Sequence, residues 1–205
     1  MRPTLLLIAI AAACAPQSPS PSRLATAADT AAHVASVAKA ERRARKIRID
    51  QSYDRITGRT TVSMPLLHDG LLSSSGVRLV VSFSYPGDSA PAEPPAEVHF
   101  AVDWEDFGGG THYGEAPSAD FLVDDSVRFS AKGRDYQRYV DRSLMQVVFD
   151  DSTFRQRVVI PVGREQFARM TEALTVEGKL TSGREFVLRP EHILAMRRLQ
   201  ERMGG

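Results

Sequence analysis

Apolar positions change period twice along the chain. From Ile47 they alternate with polar ones: Ile47, Ile49 and Tyr53, then Val62, Met64 and Leu66 after a turn at Thr57-Gly58. Longer alternating runs follow at Val77, Leu79, Val81, Phe83 and Tyr85, and at Val98, Phe100, Val102 and Trp104. Phe121 and Val123, then Val127 and Phe129, fit either one bent strand or two short ones. Met145, Val147 and Phe149 lead through Asp150-Asp151-Ser152 to Val158, Ile160 and Val162. Val176, Leu180, Phe186 and Leu188 flank Thr181-Ser182-Gly183-Arg184, a hairpin signal. A period of two places alternate side chains on one buried face, so these runs predict eight to ten short strands. Helical crossovers are missing between Ile47 and Val162, which excludes a parallel α/β sheet. The expected fold is mainly β: an antiparallel β-sandwich or barrel-like domain.

Helical spacing appears at both ends. Phe167, Met170 and Leu174 predict a helix over Arg164–Leu174. Ile193, Met196, Leu199 and Met203 predict another after Pro190, which suits a first helical turn. Each has one apolar stripe and should pack on the sheets. Residues 24–46 are alanine-rich and free of Gly and Pro, predicting a helix over Ala27–Arg45. Val34, Val37 and Ala38 would be its thin apolar face. Its end is basic: Lys39, Arg42, Arg43, Arg45, Lys46 and Arg48, opposed by Glu41. Two readings fit that end: a patch touching anionic headgroups, or a solvated helix whose cations suit the macrodipole.

The start of the chain follows a different logic. Arg2 precedes nine apolar residues, Leu5 to Ala13, and the small residues end at Cys14, the only cysteine. Nine helical residues rise about 14 Å, too short for a hydrocarbon core of about 30 Å. A charged start, a short apolar run and small residues are the anatomy of an export signal. The arrangement over residues 1–14 resembles the lipobox of bacterial lipoproteins, with Ala11 where leucine is usual. The resemblance implies a diacylglycerol on Cys14, which becomes the first mature residue; thioether formation uses its thiolate. In Gram-negative lipoproteins an aspartate after the cysteine retains the protein at the inner membrane. Ala15 therefore implies the outer membrane, facing the periplasm. Ala15 to Ser22 is Pro/Ser-rich and reads as a disordered tether. The expected plan is a signal peptide over 1–13, lipidated Cys14 and tether over 14–26, a helical basic stalk over 27–45, and a β-rich domain over 46–205.

Composition narrows the function. Hydrophobic residues make up 42% of 205 and charged ones 25%, ordinary globular usage. Basic residues number 26 and acidic ones 25. No global field draws the chain to nucleic acid, and none is expected as a partner. One cysteine precludes an internal disulfide and a Cys-rich zinc site.

Candidate chemistry concentrates at residues 99–115. His99 and Asp103 share a strand face, and with His112 they would suit Zn²⁺ or Fe²⁺. Their spacing matches no ligand motif, and a solvent-facing strand side leading into Gly108-Gly109-Gly110 explains them equally. Asp103 and Glu105 have the residue types of glycoside hydrolysis, but two carboxylates two apart on one strand meet its distance trivially. Asp124-Asp125 and Asp150-Asp151 read as turn residues. Ser36-Val37-Ala38-Lys39 has the form S-x-x-K without the accompanying motifs of penicillin-binding enzymes. Phe107-Gly108-Gly109-Gly110-Thr111 lacks the lysine of a phosphate loop. Neither a catalytic residue nor a cofactor is expected. Trp104, Phe100 and Phe121 keep strand phase and belong to the core. Phe107 and Tyr113 lie among residues that bury poorly, and are the candidates for a ligand or partner surface. The expectation is a non-catalytic, lipid-anchored envelope module that binds an envelope protein or cell-wall component. A barrel carrying an apolar ligand, or a hydrolase or metalloenzyme using residues 99–115, are the alternatives. A packed interior favours the first and a hollow one the carrier.

Overall fold

The computed structural model describes residues 27–67, 77–91, 93–107, 115–141 and 153–204. They form ten strands and three helices. The order is α1 (Ala27–Lys46), β1 (Asp50–Asp54), β2 (Arg59–Leu67), β3 (Val77–Pro86), β4 (Glu97–Phe107), β5 (Ala119–Val123), β6 (Val127–Ala131), β7 (Arg134–Asp141), β8 (Thr153–Gly163), α2 (Arg164–Glu172), β9 (Val176–Leu180), β10 (Glu185–Leu188) and α3 (Pro190–Gly204). Strands pair antiparallel in two sheets, β1-β2-β3-β4-β8-β7 and β10-β9-β5-β6. This is the expected mainly β fold, with two separate sheets rather than one closed barrel.

The alternating runs become the inner faces. Val62, Met64, Leu79, Val81, Phe83, Val98, Phe100, Val102, Trp104, Val158 and Ile160 are buried on the six-stranded sheet. Phe121, Val176, Leu180, Phe186 and Leu188 are their counterparts on the small one. An aromatic cluster joins the layers. Phe100 of the large sheet meets Phe121 of the small sheet edge-on at 5.8 Å and Phe167 of α2 at 6.2 Å. Phe121 also stacks on Phe129 at 5.0 Å. Offset and edge-on ring pairs add about 0.5–1.5 kcal/mol each beyond area burial. All these side chains belong to one continuous core, which also takes in Ile193, Met196, Leu199 and Met203 of α3.

Turns follow local chemistry. Phe121–Val123 and Val127–Phe129 are two strands, β5 and β6, joined through Asp124 and Asp125, both at positive φ (47° and 56°). Aspartate tolerates this region better than most residues. Asp124 Oδ1 also accepts the backbone N–H groups of Leu174 (2.8 Å) and Thr175 (2.9 Å), tying that hairpin to the start of β9. Gly58 (φ 63°) and Gly183 (φ 83°) serve the β1–β2 and β9–β10 turns.

Two expectations need correction. Leu174 is not on the α2 stripe: the helix ends at Glu172, and Leu174 is 75% exposed. Val34 and Val37 are exposed, and the buried residues of α1 are Ala40 and Ala44. The strand β7 went unforeseen. The strand expected at Met145, Val147 and Phe149 lies outside the described residues, as do the residues expected to form the signal, Cys14 and the tether.

The compact unit that holds both sheets begins at Ser36, inside α1. Ala44 is part of the core, and the Arg198 guanidinium of α3 donates to the carbonyls of Ala44 (2.9 Å) and Ile47 (3.3 Å). Ala44 lies in the last turn of α1, where its carbonyl also takes the Ile47 N–H at 3.1 Å, and Ile47 follows the helix; a cation at this end suits both carbonyls. Arg43 pairs with Glu191 of α3 at 3.2 Å.

Candidate binding groove on the small sheet

Cys14, His112 and Tyr113 lie outside the described residues. Phe107 ends β4 opposite Thr153, and its side chain also lies outside what is described. His99 and Asp103 both lie on the outer face of the large sheet, four residues apart on β4. Four strand residues span about 13 Å, and each side chain is engaged separately. His99 Nε2 lies 2.6 Å from Arg134 Nη2 and 3.6 Å from Glu97 Oε2. A guanidinium only donates, so this contact needs a neutral imidazole accepting at Nε2. Burial, and then the Arg134 charge, lower the His99 pKa below its ordinary 6.5, against an opposing pull from Glu97. Asp103 stands in register between Arg78 and Arg157, with Arg157 Nε at 3.5 Å. These two residues are parts of two arginine-linked groups, not one ligand set. Among the described residues no three His, Cys, Asp or Glu side chains gather as metal ligands.

The concavities open outward. One of about 530 Å³ lies over the outer face of the small sheet. Register builds it. Glu185, Lys179, Asp120 and Ser130 form one row across β10-β9-β5-β6, and Val187, Glu177, Leu122 and Arg128 form another. The row between them, Phe186, Gly178, Phe121 and Phe129, turns its side chains to the core and floors the groove.

Gly178 is required by this floor: a Cβ there would fall 2.1 Å from Cζ of Phe186. The missing side chain lets the Phe186 ring lie across the neighbouring strand, an aromatic covering a strand glycine. Leu122 and Val187 are apolar at outward positions, with Val187 49% exposed. Around them the charges are ordered. Lys179 Nζ donates to Glu185 Oε1 at 2.6 Å, which raises the Lys179 pKa, and the Ser130 hydroxyl donates to Asp120. Glu177 and Arg128 flank Leu122 from opposite strands.

A second concavity of about 610 Å³ adjoins the first through Ser130 and reaches Glu115, Pro117 and Thr181. Its wall is fixed where Ser118 and Thr181 exchange backbone and hydroxyl hydrogen bonds of 2.9 and 3.1 Å.

Outward apolar side chains interspersed with charged ones can hold an extended segment or a small amphipathic surface by desolvation over the former and hydrogen bonds from the latter. The sequence carries a signal for this groove. Leu122 and Val187 break the alternation of Phe121-Leu122-Val123 and Phe186-Val187-Leu188. These two out-of-phase apolar residues come into one row, on either side of Glu177, once β10, β9 and β5 are set side by side. No protein-family model, no curated protein and no solved structure matches this chain.

Proposed function

We propose that this chain is a cell-envelope lipoprotein, held at a membrane by a lipid on Cys14, whose β-domain acts as a non-catalytic binding module. The small-sheet groove is its contact surface for an envelope protein or cell-wall component. The observation that supports this reading is where the space lies. Side chains of both sheets meet in one continuous core, and this concave surface is on the outside, with Leu122 and Val187 standing outward in it on either side of Glu177. That arrangement suits a surface partner. The anchor and address come from residues 1–15: the lipobox-like run, Cys14 and then Ala15, which points to the outer membrane where the source has two membranes. Among the described residues no helix is long and apolar enough to cross a bilayer.

The test is a pull-down from detergent-solubilised membranes with the whole protein and with a Leu122→Asp/Val187→Asp variant. Desolvated apolar anchors at an interface centre are worth about 1–2 kcal/mol or more each. Recovery of a specific partner is expected to fall at least about tenfold in the variant, since 1.4 kcal/mol is tenfold in affinity. Absence of any specific partner, or one captured equally by both proteins, would sink the binding-module reading. Intact mass of membrane-extracted protein reads the anchor independently: acyl mass on a chain starting at Cys14 is expected.

A further inference from the structure

The buried side of α1 determines which of its cations face outward. Ala40 and Ala44, four apart, are 8% and 3% exposed and mark the side that packs on the body. At about 100° per residue, Arg42 and Lys46 fall on the opposite side, with Lys39 and Arg45 beside them. All four are exposed. The other two cations of this stretch have carboxylate partners: Arg43 with Glu191 at 3.2 Å, and Arg48 with Asp50 at 2.6 Å. Among the described residues, no ion pair involves Lys39, Arg42, Arg45 or Lys46. Glu41 is the only acid between residues 39 and 48. Because Arg198 holds the carbonyls of Ala44 and Ile47, the cation-bearing side is fixed in direction relative to the sheets.

We infer that this outward side of α1 is a docking surface for anionic phospholipid headgroups. The inference rests on the anchored reading above. Lys39 follows Cys14 by 25 residues. A lipid on Cys14 would keep the four cations close to one headgroup layer, where each contributes weakly alone and usefully together. Unpaired, outward and of one sign, they fit a negatively charged plane better than a pocketed ligand. Headgroup contact would then orient the body through the α1–α3 packing.

The experiment uses the full chain carrying Cys14→Ser, which removes the anchor. Its binding is measured to vesicles of phosphatidylcholine alone and of phosphatidylcholine mixed with phosphatidylglycerol, at low and high salt. The apolar residues 5–13 meet both vesicles alike, so the difference isolates headgroup charge. A preference for the phosphatidylglycerol vesicles is expected, weakening at high salt. It should fall by up to about fivefold for each cation removed in Lys39→Gln/Arg42→Gln/Arg45→Gln/Lys46→Gln. Arg42→Lys/Arg45→Lys keeps the charge and should keep the preference, separating charge from any loss of fold. No preference between the vesicles, or one unchanged in the fourfold Gln variant, would overturn the inference. So would tighter binding to a duplex oligonucleotide than to the anionic vesicles at equal salt. Failure of the anchor is read elsewhere, in the intact mass of wild-type protein from membranes. A chain without acyl mass that still prefers phosphatidylglycerol would leave the basic side standing as a headgroup surface in its own right.

Discussion

His192 sits in the first turn of α3, and its Nδ1 accepts the backbone N–H of Arg189 at 3.1 Å. Only a neutral imidazole can accept there. Burial lowers its pKa below 6.5, Glu191 opposes and Arg189 assists. His99 is lowered in the same direction, by burial and then by Arg134. For a histidine with a depressed folded-state pKa, the unfolded chain takes up the proton first as pH falls. The stabilisation is complete above about pH 6.5 and is lost as pH drops through the folded-state values. Urea midpoints should therefore decline on acidification below about pH 6.5. His192→Asn, which retains an acceptor near Nδ1, and His99→Gln should each flatten that decline. A decline as steep in both variants as in the parent would refute the assignment. Asp54, also lowered, obeys the same linkage at more acidic pH, its stabilisation being lost as pH falls through its folded-state value. Hydrogen bonds from the Ile56 N–H and the Thr57 hydroxyl, both 2.8 Å, lower its pKa and hold the β1–β2 turn while it is ionised.

At the scale of elements, α1 and α3 illustrate how one side chain fastens another segment. Arg198 donates into the last carbonyls of α1, and the long arm of arginine reaches where a helix of mostly small residues offers little apolar grip. Arg198→Met keeps the stem and removes the donors. It should raise hydrogen-exchange rates of the amides from Ala40 to Lys46 about tenfold, taking about 1–2 kcal/mol for hydrogen bonds from a charged group. Amides in β3 and β4 should change far less; an even rise throughout would contradict this local role. The sequence made the sheet cores legible because their inner positions are nearly all apolar, as in Val77–Tyr85 and Val98–Trp104. It hid β7 for a physical reason. Arg134–Asp141 is charged, its Asp135 sits at φ 54° beside a register shift, and its Tyr136 hydroxyl reaches inward to the buried Gln156 at 2.6 Å. A strand whose inward contact is a polar pair has no apolar alternation to read. The groove was hidden differently. Its rows exist only after β10, β9, β5 and β6 are set side by side, and single-chain periodicity does not specify which strands are neighbours. The region of residues 99–115 holds His99 and Asp103 on the outer face of β4. Its remaining candidates, His112 and Tyr113, lie outside the described residues.

For the whole molecule, the passage from β6 to β7 matters most. The chain leaves the small sheet at Ala131 and enters the large one at Arg134, with only Lys132 and Gly133 between. Gly133 is buried in this corner, where a Cβ would fall 2.0 Å from the Pro117 carbonyl oxygen and 2.6 Å from a Val158 methyl. Backbone on one side and a core strand on the other leave little room to give way. Gly133→Ala should cost about 1–3 kcal/mol, the usual range for overpacking. Because the corner belongs to both layers, chemical denaturation followed by Trp104 fluorescence and by far-ultraviolet circular dichroism should shift together in this variant. Separate midpoints would show that the sheets melt independently. A crossing this short also bears on the protein's turnover. Freeing either layer for a protease would strip the partner layer of its support, so degradation would proceed from intact domain to peptides without a surviving half.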